Sequence, residues 1–486
     1  MLLSSVGLVA ARRIPRSLRS RQRHSSNTHA TATAIPTGPA THTCDVCIVG
    51  GGIVGTALAC ALASNPVTAQ LKTALVEAGD LFSSAGAALQ QDNAAPAFSN
   101  RVSSLTPRTR RFVDRLGAWT DLADRARPYG IMQVWDGVGN GQIRFTSSPS
   151  DPSDAAIAHI VENIRLQSSL VTRLGATKVF NRTSVSNITE EGGFPLVHLA
   201  DGSEVRARLL VGADGGNSRV RTYANIESIG WDYGQKGIVA TLEVETGSNG
   251  NDTAWQRFLP TGPIALLPLD DRHSSLVWTT TPALATRLCA LPSASFVDLV
   301  NVAVRAAWPD VQFLTSAIGA AGEPPADCSE EARWALDRAA SSGHAASTPP
   351  RVLGVADGSR SAFPLKLRNS ERYMAGRVAL IGDAAHTIHP LAGQGLNLGI
   401  ADAESLANVI AEGVEVGQDI GHIHLLESYA AQRYAPTLAM LKSVDGLSRL
   451  FGTDAAGFGA VRSLGLSLAD AAGPLKRVFM DFAGKA

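Results

Sequence analysis

Four short stretches carry residues whose types and spacing could do chemistry. Gly50-Gly-Gly-Ile-Val-Gly55 has the G-x-G-x-x-G spacing, follows the apolar run Val46–Val49 and opens a helical pattern over Ile53–Ala63. In that context Gly50 allows a tight turn, Gly52 lets backbone approach a pyrophosphate, and Gly55 permits close helix-to-strand packing. The helix start adds amides and a positive dipole for phosphate. Glu77 ends the next strand pattern, Thr73–Glu77, 22 residues beyond Gly55, where a carboxylate suits a ribose hydroxyl rather than a 2′-phosphate. The motif says dinucleotide, and by itself leaves NAD and FAD open.

More than 300 residues later the strand pattern Val378–Ile381 breaks at Gly382-Asp383, and Pro390 precedes Gly393-Gln-Gly-Leu-Asn397, which opens a helical pattern running through Ile400 to Ala411. An extended FAD needs a site for its AMP half and separate contacts along ribitol and ring. The Asp383 carboxylate could accept hydrogen bonds from ribitol hydroxyls. Pro390 and the backbone of Gly393, Gln394, Gly395, Leu396 and Asn397 would run along the flavin ring, with the helix start facing its electron-rich pyrimidine edge. One FAD would then need both ends of the chain.

Other chemistry is weaker. His386 and His389 lack a third ligand at a helical offset, so no metal is expected. In Cys44-x-x-Cys47 the second cysteine lies in the apolar strand run Val46–Val49, and the five cysteines are odd in number and scattered, which fits a reducing compartment. Met132 and Trp135 could form a substrate platform or simply pack a core.

Three motifs in order, Gly50 to Gly55, Gly212-Ala-Asp-Gly-Gly-Asn-Ser-Arg-Val-Arg221 and Gly382-Asp-Ala-Ala-His386, resemble those of the FAD-dependent aromatic hydroxylases, the group A flavoprotein monooxygenases. The likeness spans Asp45 to about Arg433. His389 to Asp402 is similar to the signature of the ubiquinone-biosynthesis hydroxylases. Asn100-Arg-Val-Ser-Ser-Leu-Thr106, Met132–Asp136 and Trp231–Gly237 resemble the mitochondrial branch.

The resemblance implies an α/β fold: a Rossmann-like FAD-binding domain of the p-hydroxybenzoate hydroxylase kind, a mixed β-sheet substrate domain and C-terminal helices. It adds Asp214 and Gly215 as a pair serving FAD and pyridine nucleotide, and Arg101 and Asn163 as flavin contacts. It implies oxygen transfer from a flavin C4a-hydroperoxide, formed with O₂, to C5 of a 3-polyprenyl-4-hydroxybenzoate or related prenylphenol. No catalytic side chain is named, because the flavin carries the chemistry. Ferredoxin and its reductase would supply electrons within a coenzyme Q biosynthetic complex. The rivals are an NAD(P)H-dependent hydroxylase or epoxidase of another lipid, and a non-catalytic flavoprotein scaffold.

Composition bounds the rest. The chain has 486 residues, long enough for several domains, with 43 basic and 43 acidic side chains, 45% hydrophobic and 18% charged residues. That balance gives no reason to expect a nucleic-acid partner. Residues 1–43 hold six arginines and no carboxylate, the composition of a mitochondrial transit peptide. No apolar run is long enough to cross a bilayer, so a soluble or peripheral protein is expected; the transit-like segment and the resemblance imply the matrix face of the mitochondrial inner membrane.

The elements that must position these residues divide as 44–229 and 365–433 for the two parts of an FAD-binding domain, and 230–364 for a substrate domain with a mobile insertion at about 317–350. Residues 434–486 form a C-terminal helical segment, whose stretch from Leu441 to Phe482 mixes apolar and basic residues, as a membrane-surface or partner-docking set would, or as helices that simply cap the domain would. Single helices are expected at Thr106–Leu122, Ile157–Leu174 and Ser329–Ala340, the last capped by Asp327. Antiparallel strands are expected at Gly237–Glu245, Ala254–Leu259, Ile264–Leu267 and Ser275–Thr280.

Overall fold

A computed structural model describes residues 41–83, 98–139, 141–147, 156–247, 250–319, 328–341, 348–390 and 393–452. The transit-like segment up to residue 40 and the tail beyond residue 452 lie outside the described residues.

The first sheet is built on β1 (Thr41–Val49), whose half Val46–Val49 is buried and apolar throughout, as expected of a parallel strand covered on both faces. It pairs in parallel with β2 (Thr73–Glu77) on one side and β11 (Glu204–Gly212) on the other. Beyond them lie β8 (Lys178–Asn181) and β19 (Val378–Leu380), also parallel, then the antiparallel edge strand β18 (Met374–Ala375). The order is β18-β19-β11-β1-β2-β8, with β9 (Val185–Glu191) and β10 (Phe194–Leu199) extending β11 as a meander. The strand order therefore reverses at β1, the place where doubly wound sheets bind ligands. Helix α1 (Ile53–Ser64) leaves β1 and packs against α9 (Gly395–Glu415), with Val54 seated on Gly382 and Gly399.

The second sheet has the order β20 (His386–Thr387), β17 (Ser361–Ser370), β12 (Ser228–Val244), β15 (His273–Thr280), β14 (Gly262–Pro268), β13 (Thr253–Leu259), β5 (Ile131–Asp136) and β6 (Gln142–Thr146), with β16 (Val352–Val355) beside β12. One face is covered by α5 (Pro282–Ala290), α6 (Ser293–Arg305), α7 (Trp308–Ser316) and α8 (Cys328–Ser341). β15 alternates accordingly: Leu276 and Trp278 face those helices, and Ser275, Val277 and Thr279 face the opposite side. A small third sheet, β3 (Val102–Leu105), β7 (Ala158–Glu162) and β4 (Arg127–Tyr129), lies beside the first. Helices α2 (Pro107–Arg115), α3 (Asn163–Val171), α4 (Arg219–Tyr223) and α10 (Ile423–Phe451) complete the described elements.

Several sequence expectations change. Ile157–Leu174 is not one helix: Ala158–Glu162 is the central strand of the third sheet, and the helix starts at Asn163. The helix expected over Thr106–Leu122 stops at Arg115, because Gly117 takes a left-handed conformation (φ +74°), and a 3₁₀ turn follows at Trp119–Asp121. The hairpin β5–β6 comes from residues placed with the first domain, yet it joins the second sheet through parallel pairing with β13. Helix α8 lies where a helix was expected, but Cys328, Ala332 and Ala335 lock it into the second core rather than leaving it mobile, and Asp327 is outside the described residues.

Candidate functional site

The carboxyl ends of β1, β2, β11 and β19 meet at one edge of the first sheet. There the backbone is too tight for side chains. A Cβ on Gly50 (φ +110°) would lie 2.2 Å from the Ala213 carbonyl oxygen, and one on Gly55 would lie 2.0 Å from that of Gly50. A Cβ on Gly52 would meet nothing within 4 Å, which leaves its backbone open to a ligand.

These turns border a cavity of about 1620 Å³, beyond the roughly 300–1,000 Å³ of ordinary small-molecule pockets. Gly52, Arg101, Asn163, Gly215, Asp383, Pro390, Gly393, Gln394, Gly395 and Leu396 line it. Gly50, Gly55, Glu77, Asp214, Gly382 and Asn397 are not among its lining residues, and Glu77, Asp214 and Asn397 make hydrogen bonds within the protein. Glu77 accepts the amides of Gly51 and Gly79, one on each carboxylate oxygen and both at 2.6 Å, so it braces the glycine turn. Asp214 Oδ2 accepts the Arg219 amide at the start of α4 (2.7 Å). Asn397 accepts the Thr106 amide (3.1 Å) and donates to the Ser104 carbonyl (2.8 Å), pinning the start of α9 to β3.

Asp383 is exposed to the cavity but walled by protein, and this desolvation raises its carboxyl above the ordinary value, with His386 pulling the other way. Beneath it lies a buried ion network. Asp402, fully inaccessible, accepts from the Gly382 amide (3.0 Å), His386 Nε2 (2.6 Å) and Arg433 Nε (2.8 Å). Burial works to raise the Asp402 carboxyl, but His386 and Arg433 outweigh it and hold it below the usual range. Arg221 ties the same turn to β11, donating to the carbonyls of Ala384 (2.9 Å) and Gly216 (2.7 Å), and Gln167 donates to the Gly51 carbonyl (2.7 Å). Sequence reading missed Asp402, Arg433, Arg221 and Gln167 as positioning residues. The available signal for Asp402 is a carboxylate in the apolar run Leu398–Ala403, whereas Arg221, among Asn217, Ser218, Arg219 and Thr222, stands out by no such contrast.

The two histidines do not form a metal pair. His386 is engaged by Asp402, while His389 packs edge-on against Tyr233, with ring centroids 4.9 Å apart. Among the described residues no group of three or more His, Cys, Asp or Glu could hold a metal. Met132 lines the cavity, whereas Trp135 packs against Trp255 on the other side of the sheet.

Burial pushes His389 down to about 4, with Asp445 opposing. Its folded-state value lies below the ordinary 6.5, so the unfolded chain binds the extra proton. The stability it contributes is full above pH 6.5 and is lost as pH falls toward about 4. Denaturation midpoints at pH 7 and pH 5 should therefore differ less in His389→Gln than in the wild type; equal losses would contradict this.

An FAD fits this chemistry. The cavity runs from the glycine turn to the second sheet, and acceptors on both sides are left over: Asn163 Oδ1 and Gln394 Oε1 are buried with no partner among the described residues. A doubly wound sheet whose carboxyl edge opens into a second, ligand-facing sheet defines an FAD-binding oxidoreductase. The FAD binding domain family matches residues 43–287 and 323–443. "Ubiquinone biosynthesis monooxygenase COQ6, mitochondrial" of Xenopus tropicalis is 39% identical over 92% of this chain and 94% of its own length; that of Schizosaccharomyces pombe is 38% identical over 90% and 91%. The crystal structure of p-nitrophenol 4-monooxygenase PnpA from Pseudomonas putida DLL-E4 shares the fold, with a TM-score of 0.64 and 17% identity over 92% of this chain and 98% of that one. The chain belongs to the family of ubiquinone biosynthesis monooxygenases and is an FAD-dependent monooxygenase.

Proposed function

We propose that the protein hydroxylates C5 of a 3-polyprenyl-4-hydroxybenzoate or a closely related prenylphenol on the way to ubiquinone, at the mitochondrial inner membrane. The observation that carries this reading is the single cavity shared by the FAD-side turns and the apolar face of the second sheet.

In this reading the backbone at Gly52 receives the pyrophosphate in the turn that Gly50 and Gly55 shape, and Glu77 supports the adenosine end through the glycine turn it braces. Arg101, Asn163 and Gly215 flank the middle of the cofactor with Asp214 behind them, and Asp383, set by the Gly382 turn, meets the ribitol. Pro390, Gly393, Gln394, Gly395 and Leu396 hold the ring side, with Asn397 fixing the start of α9, whose amides face developing negative charge. When bound, FAD supplies the activation of O₂ and the transfer of one oxygen atom to the electron-rich ring. The protein's part is to orient the ring and keep water out. Met132, Phe145, Phe258, Leu450 and Phe451 give the far part of the cavity an apolar wall suited to a prenyl chain.

Electrons would come from a ferredoxin and its reductase, and the protein would work as a peripheral member of a coenzyme Q biosynthetic assembly on the matrix face. Among the described residues no helix is long and apolar enough to cross a membrane. The test is to load the purified protein with FAD, supply either NADPH or ferredoxin with its reductase, and look for hydroxylated prenyl-hydroxybenzoate. Product is expected with the ferredoxin couple. Product with NADPH alone would overturn the electron-donor assignment, and flavin binding without product under either condition would favour a scaffold.

A further inference from the structure

The cavity-facing side of the second sheet is a wall of side chains in register. Val134 on β5, Ala265 on β14, Val277 on β15 and Val239 on β12 form one row across four strands, and all line the cavity. Gln256, on β13, sits inside that row between Val134 and Ala265. Its neighbours along the strand on the same face are Ala254 and Phe258, which also line the cavity, while Trp255 packs toward the helical layer and Arg257 donates to the Ala303 carbonyl of α6. Gln256 as a residue is largely buried, yet its carboxamide keeps surface on the cavity and makes no hydrogen bond to a described residue.

A primary amide facing an otherwise apolar wall loses its water when a ligand fills the cavity, and that loss is costly unless the ligand supplies a partner. Such a group is normally paired in the occupied state. Its chemistry also narrows the partner. The amide is neutral and offers both a donor and an acceptor, which matches a hydroxyl, itself donor and acceptor. A carboxylate placed there would meet aliphatic side chains and no countercharge in its row. Ser275, one row away on β15, has a buried hydroxyl with no partner among the described residues, and supplies a second polar point beside the first.

We infer that the Gln256 carboxamide is the polar anchor of the substrate wall: it hydrogen-bonds the phenolic hydroxyl of the ring and so determines specificity for phenols. This rests on the ring-hydroxylation reading above. Gln256 is a binding residue here, and the FAD site does not depend on it.

The test uses the FAD-loaded full chain and two probes: 4-hydroxybenzoate carrying a geranyl chain at C3, and the same molecule without the 4-hydroxyl. Binding is read from the change in flavin absorbance, and FAD affinity is measured separately. The wild type should bind the hydroxylated probe about tenfold more tightly than its deoxy partner, as loss of one buried hydrogen bond implies. In Gln256→Leu, and in Gln256→Met, which matches the length and keeps the packing, that ratio should fall to about one while FAD affinity stays unchanged. A Gln256→Met protein with wild-type discrimination removes Gln256 as the anchor and leaves the ring-hydroxylation reading standing. A wild type that binds both probes equally also removes the anchor, and one that binds neither overturns the ring-hydroxylation reading together with it.

Discussion

Replacing Asp402 by alanine should cost about 3–5 kcal/mol of stability, the largest loss expected from a single change in the described protein. The reason is what remains. Arg433 is almost wholly buried and its guanidinium Nε bonds to Asp402, so Asp402→Ala strands a cation in the core. The same change leaves His386 Nε2 and the Gly382 amide without their acceptor. Urea denaturation of the apoprotein reads the loss directly, and a shift of less than about 1 kcal/mol would sink the assignment. A double variant, Asp402→Asn with Arg433→Met, separates charge burial from packing: with no stranded cation, it should recover much of what Asp402→Ala loses. The pH dependence has a definite sign. Asp402 is held below the ordinary carboxylate value of about 3.9, so its contribution is full above that pH and is lost as pH falls through the lower folded value. Asp402→Asn should lack this acid limb.

Asp383→Ala should weaken FAD binding about ten- to a hundredfold, the equivalent of one charge-assisted hydrogen bond worth roughly 1.5–3 kcal/mol. Gel filtration followed by flavin absorbance measures it, and a variant that keeps its flavin as well as the wild type would remove Asp383 from the ribitol contact. The same carboxyl makes a second, opposite prediction for the apoprotein. Desolvation raises its folded value, so the favourable balance exists below the ordinary carboxylate range and is lost as pH rises through the raised value. Apo Asp383→Asn should therefore melt higher than the apo wild type at pH 8, and the gap should close toward pH 4. Adding FAD should reverse the order at pH 8. A residue that destabilises the free protein and holds the cofactor is what a binding site, as opposed to a core, requires.

The parts of this fold that the sequence made legible are those governed by local rules. The run Val46–Val49, the three glycines after it and the strand Thr73–Glu77 each carry their own reason for being where they are, and the structure has strand, turn, helix and strand there. The turn at Gly382-Asp383 and the helix after Gly393 were legible for the same reason. Residues Ile157–Leu174 were not: in Ala158–Glu162 the apolar Ala158, Ile160 and Val161 are too few to separate one period from the other, and only pairing with β3 and β4 makes them a strand. Non-local pairing likewise moved the β5–β6 hairpin into the second sheet. Within the site, residues lining the cavity and residues bracing it read alike in sequence. Glu77 and Asn397 look like ligand contacts by spacing, but in the structure their polar atoms bond to backbone. Gln256 carried no motif, and its meaning comes from the register of four neighbouring strands.

The strand order of the first sheet bears on how the chain acquires its cofactor. β1 and β2 leave synthesis first and can pair at once, but the other side of β1 stays a bare edge until β11 arrives some 160 residues later, and β19 follows after about 170 more. The carbonyl that packs on Gly50 belongs to Ala213, the carboxylate beneath Gly382 belongs to Asp402, and its countercharge is Arg433. Flavin loading is therefore expected only after nearly the whole polypeptide has been made, and until then β1 would present an open edge.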